Sequence, residues 1–235
     1  MTRPTPQDAM ELITSAQLSH RHVLIKCCGM FRDEDIDAVN VAKPDICGFI
    51  VNFPKSHRSV SPERVAELSS KLDAAVIACG VFVDEDPELV ASMVRDGSIQ
   101  MVQLHGHEDS GYIDEVKAAV EAPVVKAFKV RSAADVEEAE RCNADLVLLD
   151  NGAGTGESFD WSLVSNVKRP FILAGGLDPD NVASAISQTH PLGVDMSSGI
   201  ETEDLKDAKK IAAAVAAVNE AGEFEYSKME QAHMQ

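Results

Sequence analysis

Eight short runs of strand-forming residues, each followed by a stretch of helical composition, limit what this chain can fold into. The runs are HVLIKCCG, DICGFIVNF, AAVIACGVFV, MVQLHG, VVKAFKV, DLVLLD, FILAGGL and GVDMSSG. Helical segments such as SPERVAELSSKL and DPELVASMVRDG lie between them. Strands that alternate with helices build a parallel sheet, and eight such units close that sheet into a barrel. The pattern therefore predicts an α/β fold, a single (βα)8 TIM barrel.

The length of the chain agrees with one domain of this kind. Its 235 residues match the usual size of a single barrel, so residues 1–235 are predicted to form one domain. The alternating runs place the core of this barrel at about residues 22–218. Residues 1–21 form a short N-terminal extension in which DAMELITSAQL is predicted to be helical. Residues 219–235 are a polar C-terminal tail that is expected to fray. The weakest predicted helix is the short segment WSLVSNVKR.

The charge balance is strongly acidic and argues against two classes of partner. The chain carries 39 Asp and Glu against 21 Lys and Arg, a formal net charge of -18. Such an acidic surface repels nucleic acid and anionic membranes, and no segment is long and apolar enough to span a bilayer. An anionic substrate would have to be held by a local cationic or dipolar site, against the field of the whole molecule.

The cysteines predict a reducing compartment and no metal site. Their number, five, is odd, and they show neither C-x-x-C spacing nor the histidine spacing of a zinc site. They are expected to be free thiols in a cytoplasmic protein.

A barrel of this type carries its active site at the carboxyl ends of the strands and in the loops that follow them. Reactive and ligand-binding residues should therefore end the eight runs. The candidates at these positions are Cys28, Arg58, His105, Asp150, Gly175, Gly176, Ser197 and Ser198.

Strand alternation separates the two adjacent cysteines. In HVLIKCCG, Lys26 and Cys28 share one face of the strand and Cys27 lies on the other. The face that bears the lysine suits the polar mouth of the barrel, so Cys28 is predicted to point into the site. Lys26 would favour the thiolate, which is the reactive form of a cysteine.

Asp150 is the second catalytic candidate. It ends the apolar run DLVLLD, where a carboxylate is costly unless it has a partner or a function. Taken alone, a loop-capping role is an equal alternative. The glycine-rich loop NGAGTGESF that follows favours catalysis. A thiol and a carboxylic acid together form the acid–base pair that a proton-transferring isomerase needs.

Two loops predict a phosphate site. Gly175 and Gly176 follow the seventh strand, and Ser197, Ser198 and Gly199 follow the eighth. Barrels often bind phosphate in this quadrant through backbone N–H groups. Tight turns without a ligand are the alternative.

The remaining candidates are substrate-binding residues. Arg58 has the planar fork that binds a carboxylate through two hydrogen bonds, with a solvent-facing arginine as the alternative. We interpret His105 as a structural histidine, with a substrate contact as the alternative. Lys26 and Asp195 complete the expected substrate-binding set.

Six strand ends together resemble the phosphoribosylanthranilate isomerase family of tryptophan biosynthesis. The motifs are KCCG, GFIVNFPKSHRSVSPE, VQLHG, LLDNGAGTGESFDW, LAGGLDPDNV and GVDMSSGIE, and they extend from about Ile25 to Glu201. The resemblance implies an Amadori rearrangement of N-(5-phosphoribosyl)anthranilate without a metal or an organic cofactor. It implies Cys28 as general base, Asp150 as general acid, Arg58 on the anthranilate side and the two loops at the phosphate. Ala153, in place of a glycine, and the short loop after Asp150 depart from the family pattern.

The sequence also allows alternatives to this predicted function. One is another phosphosugar enzyme of the same barrel type, namely a related aminoaldose–ketose isomerase, an indole-glycerol-phosphate synthase or a pentose-phosphate epimerase. A different class is a non-catalytic barrel that binds phosphate or a protein, which would need neither Cys28 nor Asp150. The expected partner is a small phosphorylated anthranilate sugar. The sequence allows a monomer or a homodimer.

Overall fold

The computed structural model describes residues 3–19, 22–150 and 161–233, and it contains a closed barrel of eight parallel strands. The barrel strands are β1 (Leu24–Cys28), β2 (Ile46–Val51), β3 (Ile77–Phe82), β4 (Met101–Leu104), β5 (Val124–Lys129), β6 (Leu146–Asp150), β7 (Phe171–Ala174) and β8 (Gly193–Met196). β1 closes the ring because it pairs in parallel with both β2 and β8, with Cys27 opposite Cys47 and Lys26 opposite Asp195. The predicted TIM barrel is confirmed.

Helices lie between most of the strands, as the alternation predicts, and one more helix precedes β1. They are α1 (Pro6–Ser19), α2 (Asp33–Ala42), α3 (Pro62–Ser69), α4 (Pro87–Arg95), α5 (Ser110–Ala119), α6 (Ala133–Arg141), α7 (Val182–Thr189) and α8 (Ala208–His233). A short strand, Ser59–Val60, extends the sheet beside β2, and a hairpin pairs Glu201–Thr202 with Leu205–Lys206. Each helix among the described residues is too short or too polar to cross a lipid bilayer.

Two segments differ from expectation. The weakest predicted helix, after β6, is a single 3-10 turn at Trp161–Leu163 within the described residues. The polar C-terminal segment does not fray at residue 219, since α8 continues to His233. Ala221 in this extension is buried in the main core, so the helix is held by packing as well as by its own hydrogen bonds.

Helix starts follow local signals in the sequence. The hydroxyl of Ser61 accepts a hydrogen bond from the N–H of Arg64, and Pro62 occupies the first turn of α3. Asp86 caps α4 in the same way, with Pro87 next in the chain. A side-chain acceptor followed by proline is typical of a helix N-terminus, because proline lacks the N–H that would need a partner there. These caps fix where the loops end at the carboxyl-end face of the barrel.

The hydrophobic core has two parts. The larger part lies between the strands and the surrounding helices. The smaller part fills the barrel at the amino ends of the strands and includes Leu24 of β1 and Ile172 of β7. Ala9, Ile13 and Ala16 of α1 belong to this second part. The N-terminal extension therefore covers the amino-end face of the barrel.

Packing of α1 should contribute measurably to stability. Ile13 is 4% exposed in this core, so Ile13→Ala is expected to lower the free energy of unfolding by about 2–5 kcal/mol. Leu18 on the same helix is 78% exposed, and Leu18→Ala is expected to change it by less than about 0.5 kcal/mol. Urea denaturation of both variants measures the difference. Equal effects would mean that α1 does not pack on the barrel in solution.

Candidate active site

A cavity of about 820 Å³ opens at the carboxyl ends of the strands. Its wall contains most of the predicted site residues, namely Cys28, Arg58, His105, Asp150, Gly175, Gly176, Asp195, Ser197 and Ser198. Two predicted residues lie outside the wall: Lys26 is buried below it, and Gly199 packs between two loops. The order of the strands places β7 and β8 between β6, which carries Asp150, and β1, which carries Cys28. The glycine- and serine-bearing loops therefore separate the two catalytic candidates around the rim.

Cys28 and Cys27 point in opposite directions, as strand alternation predicts. Cys28 lines the cavity, whereas Cys27 is fully buried in the outer core between strands and helices. Burial raises the pKa of Cys27 to about 12, which makes it an inert thiol at neutral pH. Of these two thiols, only Cys28 is placed to meet a substrate.

The Cys28 thiol lies beside a buried ion pair. Lys26 Nζ is 2.9 Å from Asp195 Oδ2, and both side chains are buried. Burial raises the pKa of the Cys28 thiol, and the Lys26 ammonium, which also hydrogen-bonds it, opposes that rise. Gly48 makes room for this arrangement, because a Cβ there would lie 2.9 Å from Cys28 Sγ. Lys26 thus acts on the thiol from below the cavity floor.

Asp195 presents an unused acceptor at the cavity. Its Oδ2 accepts from Lys26, but Oδ1 is buried and has no hydrogen-bond partner within the described part of the chain. A buried acceptor without a donor is costly, so a ligand donor such as a hydroxyl group would restore the missing bond.

Asp150 ends β6 and faces His105 across the cavity. Asp150 Oδ2 lies 3.7 Å from His105 Nε2, and His105 Nδ1 lies 2.9 Å from the amide nitrogen of Gln103. If that amide donates to Nδ1, the proton of His105 sits on Nε2 and faces Asp150. His105 is therefore a neighbour of the carboxyl group as well as a wall residue. The loop 151–160, which includes NGAGTGESF and Ala153, lies outside the described residues.

The two predicted phosphate loops touch each other. Gly175 and Gly176 have φ values of 93° and 66°, a left-handed conformation that favours glycine. A Cβ on Gly199 would lie 2.0 Å from the carbonyl oxygen of Leu177, so only glycine allows this contact. Within the described residues, the backbone N–H groups of Gly176 and Ser198 donate no hydrogen bond. These donors are available to an anion.

One edge of the Arg58 guanidinium group is already paired within the protein, which the sequence did not indicate. Its Nε and Nη2 donate to the two carboxylate oxygens of Glu201 at 2.6 and 2.5 Å. Lys206 Nζ lies 2.7 Å from Glu201 Oε1. Glu201 and Lys206 were missed as site residues, because neither ends a barrel strand and no local motif marks them.

Comparisons with known proteins point to a single family. A family model described as N-(5'phosphoribosyl)anthranilate (PRA) isomerase matches residues 24–217. A relative from Clostridium acetobutylicum, named N-(5'-phosphoribosyl)anthranilate isomerase, is 41% identical over 198 residues, which cover 80% of this chain and 94% of the relative.

Solved structures give the same result. A phosphoribosyl anthranilate isomerase in complex with reduced 1-(o-carboxyphenylamino)-1-deoxyribulose 5-phosphate has a TM-score of 0.75 and 34% identity, covering 84% of this chain and 99% of that chain. A structure described as mutually generated monomers of the dimeric enzyme from Thermotoga maritima has a TM-score of 0.74 and 34% identity over the same shares.

Proposed function

Because the chain belongs to the N-(5'-phosphoribosyl)anthranilate isomerase family, we propose that Cys28 and Asp150 carry out its acid–base chemistry. The chain is an isomerase of tryptophan biosynthesis that converts N-(5'-phosphoribosyl)anthranilate to 1-(2-carboxyphenylamino)-1-deoxyribulose 5-phosphate. The observation that carries the assignment is that a thiol and a carboxyl group line one cavity, on either side of two glycine-bearing loops.

The cavity wall suggests how the substrate is oriented. The phosphate is bound by the loops at Gly175–Gly176 and Ser197–Gly199, where the N–H groups of Gly176 and Ser198 are available. The anthranilate carboxylate is bound by Arg58, and the sugar lies between these ends. The unpartnered Oδ1 of Asp195 accepts a sugar hydroxyl.

Asp150 acts first, as the general acid. Its carboxyl group donates a proton to the furanose ring oxygen, the bond between that oxygen and C1 breaks, and the nitrogen lone pair forms a protonated Schiff base. The neighbouring His105 helps to hold the carboxyl group at the cavity rim.

Cys28 acts second, as the general base. Its thiolate removes the proton from C2, and the electron pair of the broken C–H bond flows towards the iminium nitrogen to give an enolamine. The enolamine then tautomerises to the ketose. No atom is gained or lost, as an isomerisation requires. Lys26 supports this step because its positive charge stabilises the thiolate.

The direct test is turnover. The purified protein should consume N-(5'-phosphoribosyl)anthranilate without added metal, with loss of the anthranilate-type fluorescence of the substrate. The assay should be run across salt concentrations because of the acidic surface. No turnover at any salt concentration would contradict the assignment.

The pH profile should identify the base. Burial raises the pKa of the Cys28 thiol above its ordinary value. Even the ordinary pKa of a thiol is far above that of a typical carboxylic acid, which is about 4. The reactive form contains the thiolate together with the protonated acid. Its population is constant between the two pKa values and falls on either side, so the alkaline limb of kcat/KM reports the pKa of Cys28.

Removal of the Lys26 charge should move that limb. Lys26 lowers the pKa of Cys28 and Asp195 raises it, so Lys26→Met should raise this pKa, shift the alkaline limb to higher pH and lower the plateau. Alkylation of Cys28 by iodoacetamide as a function of pH gives an independent measurement. The control is Lys209→Met, at an exposed lysine. A limb that shifts to lower pH would contradict the proposed role of Lys26.

The compartment and the assembly are also proposals. All five cysteines are free thiols, which supports a reducing compartment, the cytoplasm. The phosphorylated substrate is the partner that the cavity supports, and a monomer and a homodimer are both compatible with the comparisons.

A further inference from the structure

A buried ion cluster connects Arg58 with the loop after β8. Glu201 is its centre and binds Arg58 through both carboxylate oxygens and Lys206 through one. Glu201 and Lys206 are each 7% exposed. Although burial opposes it, hydrogen bonds from Arg58 and Lys206 lower the pKa of Glu201 to about 2. The carboxylate is therefore ionised throughout the working pH range.

All the donors of Lys206 are used inside the protein. Its Nζ donates to Glu201 Oε1 at 2.7 Å, to the carbonyl oxygen of Ser197 at 2.9 Å and to Ser197 Oγ at 3.2 Å. An ammonium group has three protons, so none remains for a substrate. Ser197 Oγ in turn donates to the carbonyl oxygen of Cys28 at 3.1 Å. Lys206 thus fixes the first residue of the phosphate loop against β1.

The same cluster determines which edge of Arg58 can meet a ligand. Glu201 occupies the Nε and Nη2 edge of the guanidinium group. Within the described residues Nη1 donates no hydrogen bond, and Arg58 lines the cavity. Arg58 and Lys206 carry two positive charges against the carboxylate of Glu201, and the carboxylate of Asp204 lies within 4.8 Å of that of Glu201. The Nη1 edge of Arg58 is therefore the cationic group that this cluster presents to the cavity, in a chain whose net charge is -18.

We propose that Lys206 and Glu201 are positioning residues that hold the carboxylate-binding and phosphate-binding ends of the substrate site in a fixed relation to each other. Lys206 is the link, because it contacts Ser197 at one end and, through Glu201, Arg58 at the other. The inference rests on the proposed function, in which Arg58 binds the anthranilate carboxylate and the Ser197 loop binds the phosphate.

The test separates the two ends by using fragments of the substrate. Anthranilate and inorganic phosphate are each measured as competitive inhibitors of wild type, Arg58→Met, Ser197→Ala, Lys206→Met and Glu201→Gln. Arg58→Met should raise only the inhibition constant of anthranilate, and Ser197→Ala only that of phosphate. Lys206→Met should raise both about tenfold, which corresponds to about 1.4 kcal/mol at each end. Lys209→Met, at an exposed lysine at the start of α8, should change neither.

A double variant distinguishes a link from general damage to the fold. In Arg58→Met/Lys206→Met, the loss of Lys206 should no longer affect anthranilate but should still weaken phosphate. Denaturant unfolding shows whether Lys206→Met folds. If it does not, Glu201→Gln replaces it in the test, and this variant is expected to bind anthranilate more weakly than wild type does.

Two results would overturn the inference in different ways. If Arg58→Met weakens anthranilate while Lys206→Met and Glu201→Gln leave it unchanged, the link between the ends does not exist, but the proposed function stands. If Arg58→Met leaves anthranilate unchanged, the assignment of Arg58 is wrong and the link falls with it.

Discussion

Replacement of Cys28 by alanine is expected to lower kcat by about 10²-fold or more, the scale of general acid–base catalysis. Cys28 is a base in the proposed mechanism, and alanine provides no atom that can accept the proton from C2. The thiol lines the cavity beside Lys26, and Ser197 hydrogen-bonds the backbone carbonyl of Cys28, which alanine keeps. KM should therefore change much less than kcat. Steady-state kinetics with the fluorescent substrate measures both.

Cys27→Ala is the matched control for this change. Cys27 is next in the chain and is fully buried, but it faces the outer core instead of the cavity. The variant should retain near-normal kcat with a modest loss of stability. If Cys27→Ala were the damaging variant and Cys28→Ala the harmless one, the assignment of the base would be wrong.

Asp150→Asn is expected to have an effect of similar size, about 10²-fold or more on kcat. Asparagine keeps the shape of the side chain and a polar group near His105, but it cannot deliver a proton to the ring oxygen. The activity of the variant should then follow the thiolate alone, rising with pH up to the pKa of Cys28 and levelling off, so the alkaline limb of the pH profile should disappear, which a defect in folding or binding would not cause. Asp37→Asn, at an exposed position on α2, should leave activity unchanged. An alkaline limb that persists unchanged in Asp150→Asn would exclude Asp150 as the acid.

The fold and the residues at strand ends could be predicted from sequence because both depend on local periodicity. The eight alternating runs define the strands, and closed parallel barrels place their carboxyl ends at one face. The alternation of side chains along one strand was enough to predict that Cys28 faces the cavity and Cys27 faces away from it. The helix after β6 was the least regular segment of the sequence, and the structure has a single turn there.

Contacts between distant parts of the chain could not be predicted in this way. Arg58 and Glu201 are 143 residues apart, and nothing near either residue indicates that they pair. Arg58 was therefore predicted to have a free fork, although one edge of it is occupied. Similarly, the helical pattern of α1 predicts a helix but not the barrel end that it covers. Such pairings depend on the packing of whole elements, which local periodicity does not encode.

The position of α1 has a practical consequence for the attachment of this enzyme to a surface. Because α1 packs against the amino ends of the strands, residues 3–5 just ahead of it and the mouth of the cavity lie at opposite poles of the barrel. A tether joined ahead of α1 would orient the mouth towards the bulk solution and leave the path of the substrate open. A tether through the loop at Glu203–Asp204, which lies in the cavity wall, would hold the mouth against the support.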